Sequence, residues 1–155
     1  MAKAALGKPI PAFKLEATSG KTITEQDLKG KNTVLYFYPK DDTPGCTQEG
    51  QDFRDEIKQF MKLNTQIIGV SRGTLKSHES FKAKFDFPFE LLSDPDEKLC
   101  SAFDVMQMKN MYGKQVRGVE RSTFLIDSKG ILRKEWRKVK VPDHVNEVLT
   151  AVKEL

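Results

Sequence analysis

Cysteine is scarce in this sequence, with two residues among 155. Two thiols are too few for the disulfide scaffold of a small secreted domain, and a reducing compartment would keep both as thiols at rest. The sequence has no run of about 18 apolar residues that could span a membrane. Residues 1–9 lack an apolar stretch long enough for a secretory signal. These absences predict a cytoplasmic protein with no membrane association.

A large excess of one charge is also missing, since 26 basic residues stand against 22 acidic ones. The densest basic segment, residues 133–140, has the composition of a nucleic-acid patch. No nucleic-acid-binding motif accompanies it, and lysines also protect the exposed edge strand of a sheet. We therefore interpret this segment as a solvated edge strand and expect no nucleic-acid partner. A basic binding module is the alternative, and it predicts salt-dependent retention on nucleic acid.

Histidine is equally rare, and the two residues, His78 and His144, are far apart in the sequence. Neither has metal-ligand spacing to a cysteine, and no phosphate-binding loop or nucleotide fingerprint occurs. We therefore expect no metal and no other cofactor. His144 follows Pro142-Asp143 at a predicted helix start, which favours a capping or solvated side chain. A catalytic Cys–His pair stays open as an alternative.

Strand-like and helix-like segments alternate along the chain, which predicts one α/β domain over residues 1–155 with a central mixed sheet. This order is similar to a thioredoxin-like fold with an N-terminal β-hairpin extension. The predicted strands are 13–16 and 22–23 (a hairpin), 34–38, 66–71 and 89–92, followed by a hairpin of 122–126 and 131–136. The predicted helices run from the Cys46 loop to about 62, over 75–85, from Ser93-Asp94-Pro95 through 103, and over 141–155. Residues 106–118 have weak periodicity and are predicted to be extended or a loop.

The most informative segment is residues 39–47, which contains Cys46. It follows an apolar run at 33–38 that is typical of a buried strand, and it precedes a helical pattern beginning near Phe53. A thiol in the first turn of a helix lies beside unpaired backbone N–H groups and the positive end of the helix dipole. This environment favours a thiolate at neutral pH. The sequence therefore indicates a reactive cysteine.

A thiolate that reduces a peroxide needs fixed hydrogen-bond donors for the oxygen that leaves. Gly45 allows a small ligand to approach the backbone closely, and Thr43 can turn its hydroxyl into the same pocket. Pro39 stiffens the loop. A cation must come from elsewhere in the chain, and Arg121, directly before the apolar strand 122–127, is the candidate.

These residues carry a family resemblance. The spacing Pro39-x-x-x-Thr43-x-x-Cys46 matches the active-site signature of peroxiredoxins. The fuller string over 36–47 resembles the Q-type branch, also called bacterioferritin comigratory proteins, and 118–127 is similar to the segment that bears the branch's active-site arginine. The resemblance extends from about residue 7 to residue 155. It implies a thiol-dependent peroxidase for hydrogen peroxide and organic hydroperoxides, without metal, haem or flavin, and it favours a monomer.

The same resemblance implies a role for each residue of the signature. Cys46 would be the peroxidatic nucleophile, and Thr43 would donate its hydroxyl to the peroxide. Arg121 would stabilise the thiolate and the leaving oxygen, while Pro39 would shield the pocket.

The sequence departs from the Q-type pattern at the cysteine that resolves the sulfenic acid. Gln51 and Lys82 stand at the two positions where branch members carry it. Cys100 is predicted to lie buried on the apolar face of its helix. We therefore expect a one-cysteine mechanism in which thioredoxin, glutaredoxin or glutathione supplies the thiol. Local unfolding that lets Cys100 resolve Cys46 is the alternative.

A thioredoxin-like thiol–disulfide oxidoreductase is a further alternative function. It predicts a second redox cysteine three residues from Cys46, but Thr43 and Glu49 occupy those positions.

Overall fold

Strands and helices alternate along the chain in the computed structural model, which describes residues 2–155. The strands are β1 (Lys14–Glu16), β2 (Thr22–Thr24), β3 (Asn32–Phe37), β4 (Thr65–Ser71), β5 (Glu90–Ser93), β6 (Met106–Met111), β7 (Lys114–Val119), β8 (Ser122–Ile126) and β9 (Leu132–Trp136). The helices are α1 (Pro44–Asp55), α2 (Ile57–Lys62), α3 (Leu75–Phe85), α4 (Lys98–Ala102) and α5 (His144–Lys153), and a 3₁₀ turn (Glu25–Leu28) precedes β3.

A five-stranded mixed sheet lies at the centre, with the strand order β5-β4-β3-β8-β9. Strands β3, β4 and β5 are parallel neighbours, whereas β8 runs antiparallel to both β3 and β9. The mixed α/β architecture predicted from the sequence is confirmed. Strands β1 and β2 form the predicted N-terminal hairpin outside this sheet.

Two hydrophobic cores cover the opposite faces of the sheet. Successive side chains of a strand point to opposite faces, and β3 divides in this way: Val34 and Tyr36 belong to one core, Leu35 and Phe37 to the other. The first core includes side chains of α1, α2, α3 and α5, and the second includes α4 and the N-terminal segment. β3 is therefore buried on both faces, as its continuous apolar run predicts.

Two helix boundaries differ from the sequence prediction. The helix expected to continue to about residue 62 is interrupted at Glu56, where α1 ends and α2 begins. The helix expected from Ser93-Asp94-Pro95 begins only at Lys98. The Asp94 carboxylate accepts hydrogen bonds from the backbone N–H of Lys98 and Cys100, at 2.9 and 2.7 Å. Asp94 thus stabilises the helix start from a position before an intervening turn.

Residues 106–118, predicted to be extended or a loop, lie in the regular hairpin β6–β7. Tyr112 and Gly113 both have positive φ, 52° and 82°, which is the backbone of a tight two-residue hairpin turn. The basic segment begins in β9, an edge strand of the sheet with exposed Arg133 and Lys134. The edge-strand interpretation is confirmed for residues 133–136, whereas residues 137–140 lie beyond the end of β9. Among the described residues 2–155, no helix has the length and apolar character needed to cross a membrane.

Candidate active site

Cys46 lies just after the loop that connects the central strand β3 to the first helix, α1. β3 ends at Phe37, a short loop follows, and α1 begins with Pro44 at its first position. Proline suits that position because its fixed φ matches the helix and its missing N–H has no partner to lose there. Cys46 is the third residue of the helix and only 2% exposed. The thiol is therefore almost completely buried and lies at the positive end of the α1 dipole.

Thr43 occupies the N-cap of α1 without capping it through its side chain. Its backbone is extended (φ −99°, ψ 156°), but no side-chain capping hydrogen bond forms. Instead the hydroxyl donates to the Lys40 carbonyl oxygen at 2.8 Å. A capping oxygen normally accepts from the second or third helical N–H. The backbone N–H groups of Gly45 and Cys46 are thus left free of this bond and can bind an oxyanion.

The guanidinium of Arg121 contacts the thiol. Its Nη2 lies 3.4 Å from Cys46 Sγ. Sheet register explains how a residue 75 positions away arrives there: Phe37 at the end of β3 pairs with Ser122 at the start of β8. Arg121 therefore lies beside the beginning of the loop that leads to Cys46.

Glu49 holds the other side of the same guanidinium, and the sequence analysis did not assign it to the site. Arg121 Nη1 donates to Glu49 Oε1 at 2.7 Å, and the Glu49 side chain is fully buried. Burial raises the pKa of Glu49 to about 7, against the opposing effect of Arg121. Its Oε2 has no hydrogen-bond partner. The available signal was the spacing, because residues three apart on a helix share a face and Cys46 already marked that face.

Replacing Glu49 with glutamine is expected to change how stability depends on pH. The folded chain holds a proton on Glu49 between about pH 4.5 and 7 that the unfolded chain releases, so wild-type stability is lost as the pH rises through this window. The full rise in pKa corresponds to about 3 kcal/mol. Glutamine keeps the acceptor for Arg121 and does not ionise, so Glu49→Gln should gain about that much relative to wild type between pH 4 and 8.

Urea unfolding at several pH values measures this difference. The exposed Glu154→Gln variant is the control for the loss of one carboxylate. A stability difference between wild type and Glu49→Gln that is the same at pH 4 and pH 8 would contradict the assignment.

Gly45 and Pro39 border the site. A Cβ atom at Gly45 would lie 3.1 Å from Arg121 Nη2, so the absent side chain lets the guanidinium approach the helix backbone. Pro39 is half-buried in the loop directly after Tyr38, which is fully buried in the core on the side of the sheet that contains Cys46. The close approach of a ligand at Gly45 and the shielding of the pocket by Pro39 both stay predictions.

His144 is buried, so the prediction of a capping or solvated side chain was wrong. It is 3% exposed, and its Nε2 lies 2.8 Å from the Thr123 hydroxyl on β8. Burial and, to a smaller extent, the charge of Arg121 lower the pKa of His144 to about 4. The helix α5 carries this ring inward because His144 is the first residue of its amphipathic face. The ring is thus engaged with Thr123 rather than presented to solvent.

Comparison with known proteins identifies the family. Residues 6–135 match the sequence profile of the AhpC/TSA family. The chain belongs to this family. It is 51% identical over 150 residues to the peroxiredoxin Bcp of Bacillus subtilis, which covers 97% of this chain and 96% of the relative. It is 50% identical over 155 residues to the peroxiredoxin Bcp of Xanthomonas campestris, with 99% and 97% coverage.

Solved structures agree with this assignment. A crystal structure of a Xylella fastidiosa PrxQ mutant superimposes with a TM-score of 0.92 at 42% identity, covering 99% of this chain and 98% of that one. A structure of the Xanthomonas campestris bacterioferritin comigratory protein, described for its alkyl peroxide reduction activity, has a TM-score of 0.87 at 51% identity and covers 92% and 90%. The protein is thus a Q-type peroxiredoxin with the thioredoxin-like fold, and it is a thiol-dependent peroxidase, as the resemblance implied.

The second cysteine of this peroxiredoxin lies on the opposite face of the central sheet. Cys46 packs in the core that contains Tyr36, whereas Cys100 packs in the core that contains Phe37. Cys100 is fully buried on α4, as predicted, and burial together with the nearby Asp94 carboxylate raises its pKa far above the ordinary range. Its thiol is therefore neither close to Cys46 nor ionised near neutral pH.

Proposed function

We propose that Cys46 is the peroxidatic nucleophile of this peroxiredoxin. The contact of Arg121 with Cys46 Sγ at 3.4 Å, at the N-terminus of α1, carries the proposal. The thiolate attacks one peroxide oxygen, an S–O bond forms, and the O–O bond breaks. Cys46 becomes a sulfenic acid, and the second oxygen takes a proton from solvent and leaves as water or an alcohol.

Each surrounding residue has a part in this step. The guanidinium of Arg121 and the free N–H groups of the first α1 turn stabilise the charge that develops on the leaving oxygen. Glu49 positions that guanidinium through its hydrogen bond. The Thr43 hydroxyl, which donates to the Lys40 carbonyl oxygen at the entrance to α1, donates to the bound peroxide. Pro39 shields the pocket from water.

Hydrogen peroxide and organic hydroperoxides are the proposed substrates. The described activity of the Xanthomonas campestris relative toward alkyl peroxides, at 51% identity, supports the organic class. Insulin-disulfide reduction separates this proposal from the alternative of a thioredoxin-like oxidoreductase, because that reaction needs a second thiol close to Cys46. A protein that consumes hydroperoxide but does not accelerate insulin reduction supports the peroxidase.

An external thiol completes the cycle in our proposal. Neither Gln51 nor Lys82 can form a disulfide, and the central sheet separates Cys100 from Cys46. Thioredoxin, glutaredoxin or glutathione would attack the sulfenic sulfur, form a mixed disulfide and release water. A second thiol of the reductant then attacks the mixed disulfide, frees the Cys46 thiolate and leaves as the disulfide of the reductant. We further propose that the chain works as a single domain over residues 1–155, as a monomer, in the reducing cytoplasm, where both free cysteines are compatible with the surroundings.

Replacing Cys100 with serine is expected to leave peroxide turnover within about twofold of wild type, because a buried thiol on the far side of the sheet takes no part in the reaction. The measurement is steady-state hydroperoxide consumption with glutathione and, separately, with a thioredoxin system. A loss of turnover that is specific to the step after peroxide attack would instead assign the resolving role to Cys100.

A further inference from the structure

The Asp41 carboxylate joins the loop before Cys46 to the helix α3. Tyr38, at the start of the loop, donates its hydroxyl to Oδ1 at 2.6 Å. From the first turn of α3, the Ser77 hydroxyl donates to Oδ2 at 2.7 Å, and His78 Nδ1 lies 2.6 Å from the same oxygen. Burial acts to raise the pKa of Asp41, but the hydrogen bonds from His78, Tyr38 and Ser77 outweigh it and lower the pKa. Asp41 is therefore an ionised acceptor for three donors.

His78 is built into this position. Its side chain has no exposed surface, and its second ring nitrogen lies 3.4 Å from the Ser71 carbonyl oxygen. A Cβ atom at residue 73 would lie 2.9 Å from the ring, so Gly73 provides the space that the imidazole fills. A buried imidazole needs hydrogen-bond partners, and Asp41 on the active-site loop is the closer of the two.

The helix that receives the loop is itself anchored. Lys82 of α3 donates to the carbonyl oxygens of Phe87 and Phe89, at 2.8 and 2.9 Å. Lys82 stands at one of the two positions where resembling proteins carry a resolving cysteine. A second contact joins loop and helix at the surface, where Lys84 pairs with Asp42 at 2.7 Å. The helix thus presents a fixed support to the loop.

We propose that His78 is a positioning residue that holds the Cys46 loop closed through Asp41. This inference rests on the proposed role of Cys46. Because no resolving cysteine has to be reached, the loop can stay closed through the cycle, and the sulfenic acid remains beside Arg121. Small thiols then reach it more readily than protein thiols do. A second hydroperoxide can also react there, transferring one oxygen to the sulfur and leaving as water or an alcohol, so that sulfinic acid forms.

The test compares two replacements of one residue. The side-chain amide of His78→Asn reaches the place of Nδ1 and keeps the donor to Asp41, whereas His78→Leu keeps the apolar bulk and removes the donor. The rate of Cys46 alkylation by a bulky maleimide is divided by the rate with iodoacetamide, with peptide mapping to separate Cys46 from Cys100. This ratio cancels the thiolate fraction and requires no peroxidase activity.

We expect the ratio to rise about tenfold or more in His78→Leu, since losing a hydrogen bond to a charged group favours opening by at least this factor. The ratio in His78→Asn should stay within about threefold of wild type. The rate of reaction with hydrogen peroxide and the yield of sulfinic acid should fall in His78→Leu in parallel.

Two results would overturn the proposal: an unchanged alkylation ratio in His78→Leu, or the same change in His78→Asn as in His78→Leu. If His78→Leu does not fold, Tyr38→Phe removes another donor to Asp41 with little change of shape, and its ratio must rise as well. If the alkylation ratio rises in His78→Leu but the wild-type protein has no peroxidase activity, the proposed function of Cys46 is rejected, whereas the role of His78 in holding the loop closed is supported.

Discussion

Serine in place of Cys46 is expected to reduce peroxide consumption to the uncatalysed background. A serine hydroxyl is not ionised at neutral pH, and the side chain that contacts this position, the guanidinium of Arg121, is a hydrogen-bond donor rather than a base. An alcohol that lacks such a base is a weak nucleophile, whereas the thiolate attacks the O–O bond directly. Stopped-flow mixing of the reduced protein with hydrogen peroxide measures the rate constant.

Cys100→Ser is the matched control for this variant, because it removes the same atom from a buried helix of the same protein. It should react like wild type under the same conditions. If peroxide reduction were retained in Cys46→Ser and lost in Cys100→Ser, the reactive thiol would be Cys100, and the assignment to Cys46 would be contradicted.

The second large effect is expected at Arg121. Arg121→Met removes the donor that lies 3.4 Å from Sγ and should lower the rate constant for peroxide by about 10²–10³, as the loss of one oxyanion donor does in other enzymes. Arg121→Lys should recover only part of this loss. A single ammonium cannot reproduce the two separate contacts that the guanidinium makes with Sγ and Glu49 Oε1.

Stability and chemistry have to be separated at this residue, because Arg121→Met leaves the buried Glu49 without its cation. The double variant Arg121→Met/Glu49→Gln removes both charges and should recover folding stability without recovering the rate. Arg117→Lys is a surface control, since Arg117 pairs with Glu97 on the protein exterior. Recovery of the wild-type rate in the double variant would show that Arg121 acts on folding alone.

The principal cysteine and its cation could be located from the sequence for different reasons. Cys46 lies in a local motif whose residues are all within one loop and one helical turn. Arg121 could be chosen because it directly precedes an apolar strand, and the pairing of β8 with β3 brings that strand start to the loop. The two strands are far apart in the sequence, so no local pattern predicts that they pair. Their apolar runs nevertheless indicate that both are buried strands, as neighbours in a central sheet are.

The buried polar residues of the site could not be predicted in the same way. In the sequence Glu49 has the pattern of an ordinary helix-surface acid. Its buried carboxylate is stabilised by Arg121, which directly precedes β8. His144 follows a helix-start signal, yet the packing of α5 against the sheet buries it beside Thr123. The bond between Asp41 and His78 joins residues 37 positions apart. In each case a tertiary contact decides the environment of the side chain. Only Glu49 had a local signal, its spacing of three residues from Cys46 on the same helix.

The fold boundaries show a similar limit. The hairpin β6–β7 has mixed and partly exposed side chains, so its sequence lacks the alternation that identifies a half-buried strand. The turn at Tyr112-Gly113 was the better signal, since a glycine there supports a tight hairpin. The late start of α4 follows from Asp94. Its carboxylate accepts hydrogen bonds from the backbone N–H groups in the first turn of α4, across the turn that contains Pro95.

Peptide mapping by mass spectrometry after one equivalent of hydrogen peroxide tests the central claim most directly. With dimedone present to trap sulfenic acid, the adduct should appear on Cys46 alone, and Cys100 should stay a free thiol. An intramolecular disulfide between Cys46 and Cys100, or oxidation of Cys100 with Cys46 intact, would contradict the one-cysteine mechanism.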